Sequence, residues 1–154
     1  MKRVVLVSPS GSIFKSLAEL GLDDLDPGAT PSLTVLCWGE GAPEATSIVV
    51  GHDDSGTLTG RLRRAVQRAL SGSAAGRNLH RLTPWDGGSR MWRAVRRSPA
   101  ARQALQEAGL IVAVERDSIL TAWKSVHSSL APDAAAVYGL PSARTVLKES
   151  RADD

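Results

Sequence analysis

The sequence predicts an α/β fold: one Rossmann-like three-layer domain around a mostly parallel sheet of about five strands. Three observations predict it. Short apolar runs such as Val4–Val7 and Leu110–Val114 carry no polar interruption, and Leu33–Cys37 is broken only by Thr34, as fits strands buried on both faces. Between them, apolar residues recur at helical spacing. The stretch from Gly109 to Tyr138 holds a complete strand–helix–strand unit, long enough for a right-handed parallel crossover.

The elements follow in order. Arg3 to Val7 is the first strand. The small-residue loop Ser8-Pro9-Ser10-Gly11-Ser12 leads to a helix bearing Ile13, Phe14, Leu17 and Leu20, which Gly21 stops. Leu33 to Cys37 is the second strand and Ser47 to Val50 the third. Thr57 to Leu70 is an amphipathic helix, with Leu58, Leu62, Ala65, Val66, Ala69 and Leu70 on one face and Arg61, Arg63, Arg64 and Arg68 elsewhere. Residues 71–88 read as a flexible internal loop, closing on the turn Pro84-Trp85-Asp86-Gly87-Gly88. Ser89 caps a helix holding Met91, Trp92 and Val95. Ser98-Pro99 starts a second helix, which Gly109 ends.

Leu110–Val114 is then a buried strand, Glu115 to Ser118 a polar loop, and Ile119, Leu120, Trp123, Val126 and Leu130 form a helical stripe that places Trp123 in the core. Ala134–Tyr138 is a further buried strand, and a last helix carries Ala143, Val146 and Leu147. The predicted order is β-α-β-β-α-α-α-β-α-β-α. Residues 1–150 form one domain and 151–154 a frayed tail.

Composition narrows the class. At 154 residues with 42% hydrophobic side chains, the chain can bury a real core. Its one cysteine, Cys37, excludes an internal disulfide framework and reads as a buried thiol. No apolar run approaches the ~20 residues of a membrane span, and the apolar stretch after Met1 is short for a signal peptide. A cytoplasmic, reducing setting is expected. The excess of arginine over lysine suggests a GC-rich bacterial genome.

Charge is uneven. Residues 1–60 carry three basic and eight acidic side chains. Residues 61–103 carry eleven arginines and one acid, Asp86, and residues 104–154 five basic and seven acidic side chains. A concentrated cationic middle argues for an anionic partner, with Trp85, Arg90, Arg93, Arg96 and Arg97 as its contacts. The same arginines also suit a solvated helix face.

In an open parallel sheet, ligands bind at the carboxyl ends of the strands. That puts Ser10, Gly11, Ser12, Trp38, Gly39 and Gly139 at the expected ligand site. Backbone amides of the first loop can hold a phosphate or carboxylate, although its single glycine fits neither the dinucleotide fingerprint nor a Walker loop. Ser10 or Ser12 serves equally as a helix cap. Glu115 and Asp117 are the catalytic candidates, as bases toward a hydroxyl if burial or a neighbour raises their proton affinity; the adjacent Arg116 is expected to lower it. His52, Asp53 and Asp54 form a turn without the convergent ligands a metal needs, and neither metal nor cofactor is expected.

The path Ala108 to Glu115 into Ser118-Ile119-Leu120-Thr121-Ala122, together with the first strand and its Ser8–Ser12 loop, resembles the N-terminal, acceptor-side half of GT-B glycosyltransferases. The resemblance implies an acceptor-side domain or accessory subunit, working with a separate donor-binding glycosyltransferase subunit on a cell-envelope or lipid-linked substrate. The basic segment would then face an anionic lipid headgroup or pyrophosphate. Two other readings stand beside it: an interaction module that docks an acidic protein on its arginine face, and nucleic-acid binding through arginines and tryptophans.

Overall fold

The computed structural model describes residues 3–11, 32–38, 46–51, 65 and 86–152. Five parallel strands form one sheet in the order β3-β2-β1-β4-β5. They are β1 (Arg3–Val7), β2 (Leu33–Cys37), β3 (Thr46–Val49), β4 (Ala108–Ala113) and β5 (Ala135–Tyr138). The central strand β1 aligns Val4 with Leu33 on one side and with Leu110 on the other. Helices α1 (Gly87–Arg97) and α2 (Pro99–Gln106) precede β4. A 3-10 turn (Arg116–Ser118) and α3 (Ile119–Val126) follow it, and α4 (Leu140–Ala152) follows β5. This is the Rossmann-like α/β arrangement the sequence predicts.

The apolar runs explain the layers. Successive residues of a strand point to opposite faces, so an uninterrupted run must be covered twice. Val5, Val7, Ile111 and Ala113 pack with Met91 and Val95 of α1, Leu105 of α2 and Ala122 of α3. Val4, Leu6, Leu110 and Val112 pack on the other face with Leu140 and Ala143 of α4. Leu6, Leu36, Met91, Leu105 and Ile111 are fully buried, each contributing about 1.5–3 kcal/mol of transfer free energy. Cys37 is buried as expected.

Several boundaries and environments differ from the sequence reading. Gly109 lies inside β4 and does not end the preceding helix, whose C-cap is Glu107. The register passes from Arg3↔Ala108 to Val4↔Leu110 and skips Gly109, the bulge position that suits a glycine. Close by, the Arg3 guanidinium pairs with the Glu107 carboxylate at the amino edge of the sheet. β5 is an exposed edge strand, with Tyr138 58% accessible, and is not buried. β3 is the opposite edge and begins one residue earlier than expected, at Thr46.

Helix α1 starts at Gly87 with Asp86 as its cap, so residues 86–88 belong to the helix start and not to a loop, and Ser89 is not the cap. Ser98 caps α2 as predicted, its hydroxyl accepting from Ala101 N–H at 3.2 Å. Helix α4 runs to Ala152, two residues into the stretch expected to fray. Ala65 is helical and exposed. The expected helix after β1 and most of 57–70 lie outside the described residues, as do 71–85.

Trp123 is the largest departure. Helix α3 turns Thr121, Ala122 and Ser125 inward, while Ile119 and Trp123 stand 42% and 53% exposed. Small residues let the helix sit close to the sheet and to α1; an indole on that face would hold it away. The Ser125 hydroxyl satisfies itself by donating to the Thr121 carbonyl at 2.8 Å. Among the described residues, no helix is long and apolar enough to cross a membrane.

Candidate functional site

Chain direction along the sheet reverses at β1 and β4. From β1 the chain moves toward β2, and from β4 toward β5. Their carboxyl ends therefore border the switch-point crevice where ligands of such sheets bind.

The loop after β1 is tightly formed. Gly11 N–H donates to the Ser8 carbonyl at 3.0 Å, and Gly11 has φ +70°, a left-handed geometry that favours glycine. Trp38 N–H, at the end of β2, donates to the Pro9 carbonyl at 3.3 Å. The sequence had named Ser10, Gly11 and Trp38 for this place, and the structure brings them together. Gly139, with φ +79°, closes β5 and donates its N–H to the Ala113 carbonyl at 2.9 Å; it stands at the far end of the same edge. Ser12 and Gly39 lie outside the described residues.

Glu115 occupies the crevice. Its Oε1 accepts from the Ser8 hydroxyl at 2.5 Å, from Ser10 N–H at 3.1 Å and from the Ser10 hydroxyl. The loop after β4 is thereby tied to the loop after β1. Ser118 holds the turn that carries Glu115, accepting from Glu115 N–H at 3.0 Å and donating to the Glu115 carbonyl. Ser8, fully buried, was missed as a site residue; its place directly after a buried strand was the available signal.

Asp117 points elsewhere, onto the start of α1. A Cβ on Gly87 would lie 1.9 Å from its Oδ2, so only glycine admits the carboxylate at this helix start. Asp86 sits beside it and accepts from Gly88 N–H at 3.0 Å. Burial and the Asp86 carboxylate push the Asp117 pKa above its ordinary 3.8, outweighing the pull of Arg116 and Arg90. The expectation that Arg116 would set the direction is thus corrected. Among the described residues, no salt bridge joins Arg116 to Asp117 and no donor hydrogen-bonds the Asp117 carboxylate.

Asp86, Gly88, Arg116, Asp117, Ile119, Leu120 and Trp123 line an open depression of about 330 Å³. Trp123 stacks on His127, with ring centroids 4.5 Å apart and planes 20° apart.

The expected anionic-partner residues divide between two places. Arg90 lies over the Trp38 ring, 4.7 Å from its centroid, and so belongs to the crevice. Arg96 lies 6.0 Å from the Trp92 ring, and Lys124 lies 5.8 Å from the same ring. Arg93 and Arg97 are exposed on the same helix. Trp85 lies outside the described residues, as do His52, Asp53 and Asp54. No protein-family model, curated protein or solved structure matches this chain.

Proposed function

We propose that this chain is a glycosyltransferase-like acceptor-side domain or accessory subunit, which binds a hydroxyl-bearing ligand at the switch point. The donor nucleotide would be held by residues outside these 154. The supporting observation is Glu115. A phosphate-binding loop keeps its N–H groups for the ligand, whereas here Ser10 N–H and the Ser8 and Ser10 hydroxyls are committed to a carboxylate. A pyrophosphate would have to displace that carboxylate or lie against its charge. A hydroxyl meets no such conflict, because the carboxylate is an acceptor with spare lone pairs.

The two catalytic candidates then separate by role. Glu115 anchors the crevice, whereas Asp117, with its raised proton affinity, faces the depression beside α1 and is suited to take a proton from an acceptor hydroxyl lying there. Calorimetric titration of the wild type with uridine and guanosine diphosphate sugars and with neutral oligosaccharides tests the reading. Binding of the neutral compounds alone is expected; saturable binding of the sugar nucleotides alone overturns it.

A second reading is favoured by one observation. Trp92 is half-buried with the Arg96 and Lys124 cations 6.0 and 5.8 Å from its ring, and Arg93 and Arg97 are exposed on the same helix. An aromatic ring ringed by cations suits an acidic protein surface.

A further inference from the structure

We propose that the depression between the start of α1 and α3 binds a single sugar ring, with Trp123 against its apolar face and Arg116 and Asp117 taking neighbouring hydroxyls. The inference rests on the acceptor reading and names the ligand class and a subsite for it.

The depression has an apolar side and a polar side. Ile119, Leu120 and Trp123 form the first; Asp86, Arg116 and Asp117 form the second. Trp123 is 53% exposed, yet the His127 ring stacks on its indole, and His127 is itself oriented by its Nδ1, 2.9 Å from the Trp123 backbone carbonyl. A fixed, exposed indole offers contact area with little side-chain entropy left to lose. The Asp117 carboxylate occupies the space left by the absent side chain of Gly87.

Charge selects the ligand class. Two carboxylates oppose a phosphate or another carboxylate. An ammonium group is opposed by Arg116. A wholly apolar ligand would desolvate three charged groups without replacing their hydrogen bonds. A neutral polyol answers all three: each hydroxyl both donates and accepts, so adjacent hydroxyls can give to Asp117 and receive from Arg116. The C–H face of a sugar ring matches the indole. At about 330 Å³ the space lies at the small end of ligand sites, which suits one ring of a longer acceptor.

The test uses the methyl glycosides of glucose, galactose, mannose and N-acetylglucosamine, followed through the Trp123 indole N–H resonance. A saturable shift is expected with at least one glycoside. Trp123→Ala and Asp117→Ala, followed by saturation-transfer difference, should each weaken binding roughly tenfold, and Trp123→Phe should weaken it less. Unchanged amide spectra elsewhere show that the fold is kept. Glycoside binding that both alanine variants leave unaltered overturns the subsite alone. No glycoside binding, or stronger binding of tetramethylammonium or inorganic phosphate, also overturns it. Sugar-nucleotide binding in place of glycosides overturns the acceptor reading as well.

Discussion

Removing the Glu115 carboxylate should loosen the switch point by an amount that the hydrogen bonds set. Three donors converge on Oε1: the buried Ser8 hydroxyl and the exposed N–H and hydroxyl of Ser10. In Glu115→Ala the Ser10 groups, being exposed, cost little. The Ser8 hydroxyl, fully buried, loses its acceptor, and an unsatisfied buried polar group costs about 1–3 kcal/mol. The total loss should be about 2–3 kcal/mol, and Glu115→Gln, which keeps an acceptor oxygen, should lose about 1 kcal/mol. Ser8→Ala removes the donor and leaves the carboxylate to Ser10 and water, at about 1 kcal/mol. The double variant Ser8→Ala/Glu115→Ala should therefore be more stable than the sum predicts, by about 1–2 kcal/mol. Urea denaturation with unchanged m-values is the assay. Additivity within about 0.5 kcal/mol would refute the claim that Ser8 and Glu115 form one latch.

Three further outcomes are expected. The Asp117 pKa is raised in the folded chain, so ionisation there costs stability at neutral pH, and the cost fades as pH falls through the folded value. Asp117→Asn should melt above wild type at neutral pH and lose that advantage below 3.8; an equal advantage at every pH contradicts this. The Thr121 hydroxyl is buried with no partner among the described residues, so Thr121→Val should stabilise by about 1 kcal/mol, and a lower melting temperature would show that the hydroxyl is satisfied. Converting Arg93, Arg96 and Arg97 to Gln should release the protein from a polyglutamate matrix while shifting stability by less than ~0.5 kcal/mol per site. Unchanged retention counts against the interaction-face reading. Arg90, packed on Trp38, is replaced separately, since its loss should also disturb the crevice.

The buried strands were legible because a run such as Val4–Val7 fits little else than a strand covered on both faces, and β1, β2 and β4 lie where such runs fall. The edge strand β5 misled: Ala135–Tyr138 is equally apolar, but alanines need no cover, and composition alone does not reveal a strand's place in the sheet. Trp123 misled for a related reason. Spacing marks a helix face, but the buried face of α3 is the small one, Thr121, Ala122 and Ser125, and close packing favours small residues over large.

At the site, the first loop was found from its small residues after a strand. Its occupant was not. Glu115 is 105 residues from Ser10, and only the parallel register of β1 and β4 brings them together. Gly87 and Gly88 looked like a turn; their meaning appears only once Asp117 and Leu120 are seen against them.

The central claim is that Glu115 fills the anion cradle of the first loop and leaves the crevice to hydroxyls. Titration of pyrophosphate into the wild type and Glu115→Ala, followed by the amide resonances of Ser10 and Gly11, tests it most directly. The account predicts no saturable shift in the wild type and a saturable one in Glu115→Ala, where the Ser10 N–H is released. Saturable binding to the wild type at those amides, undiminished relative to the variant, would contradict it.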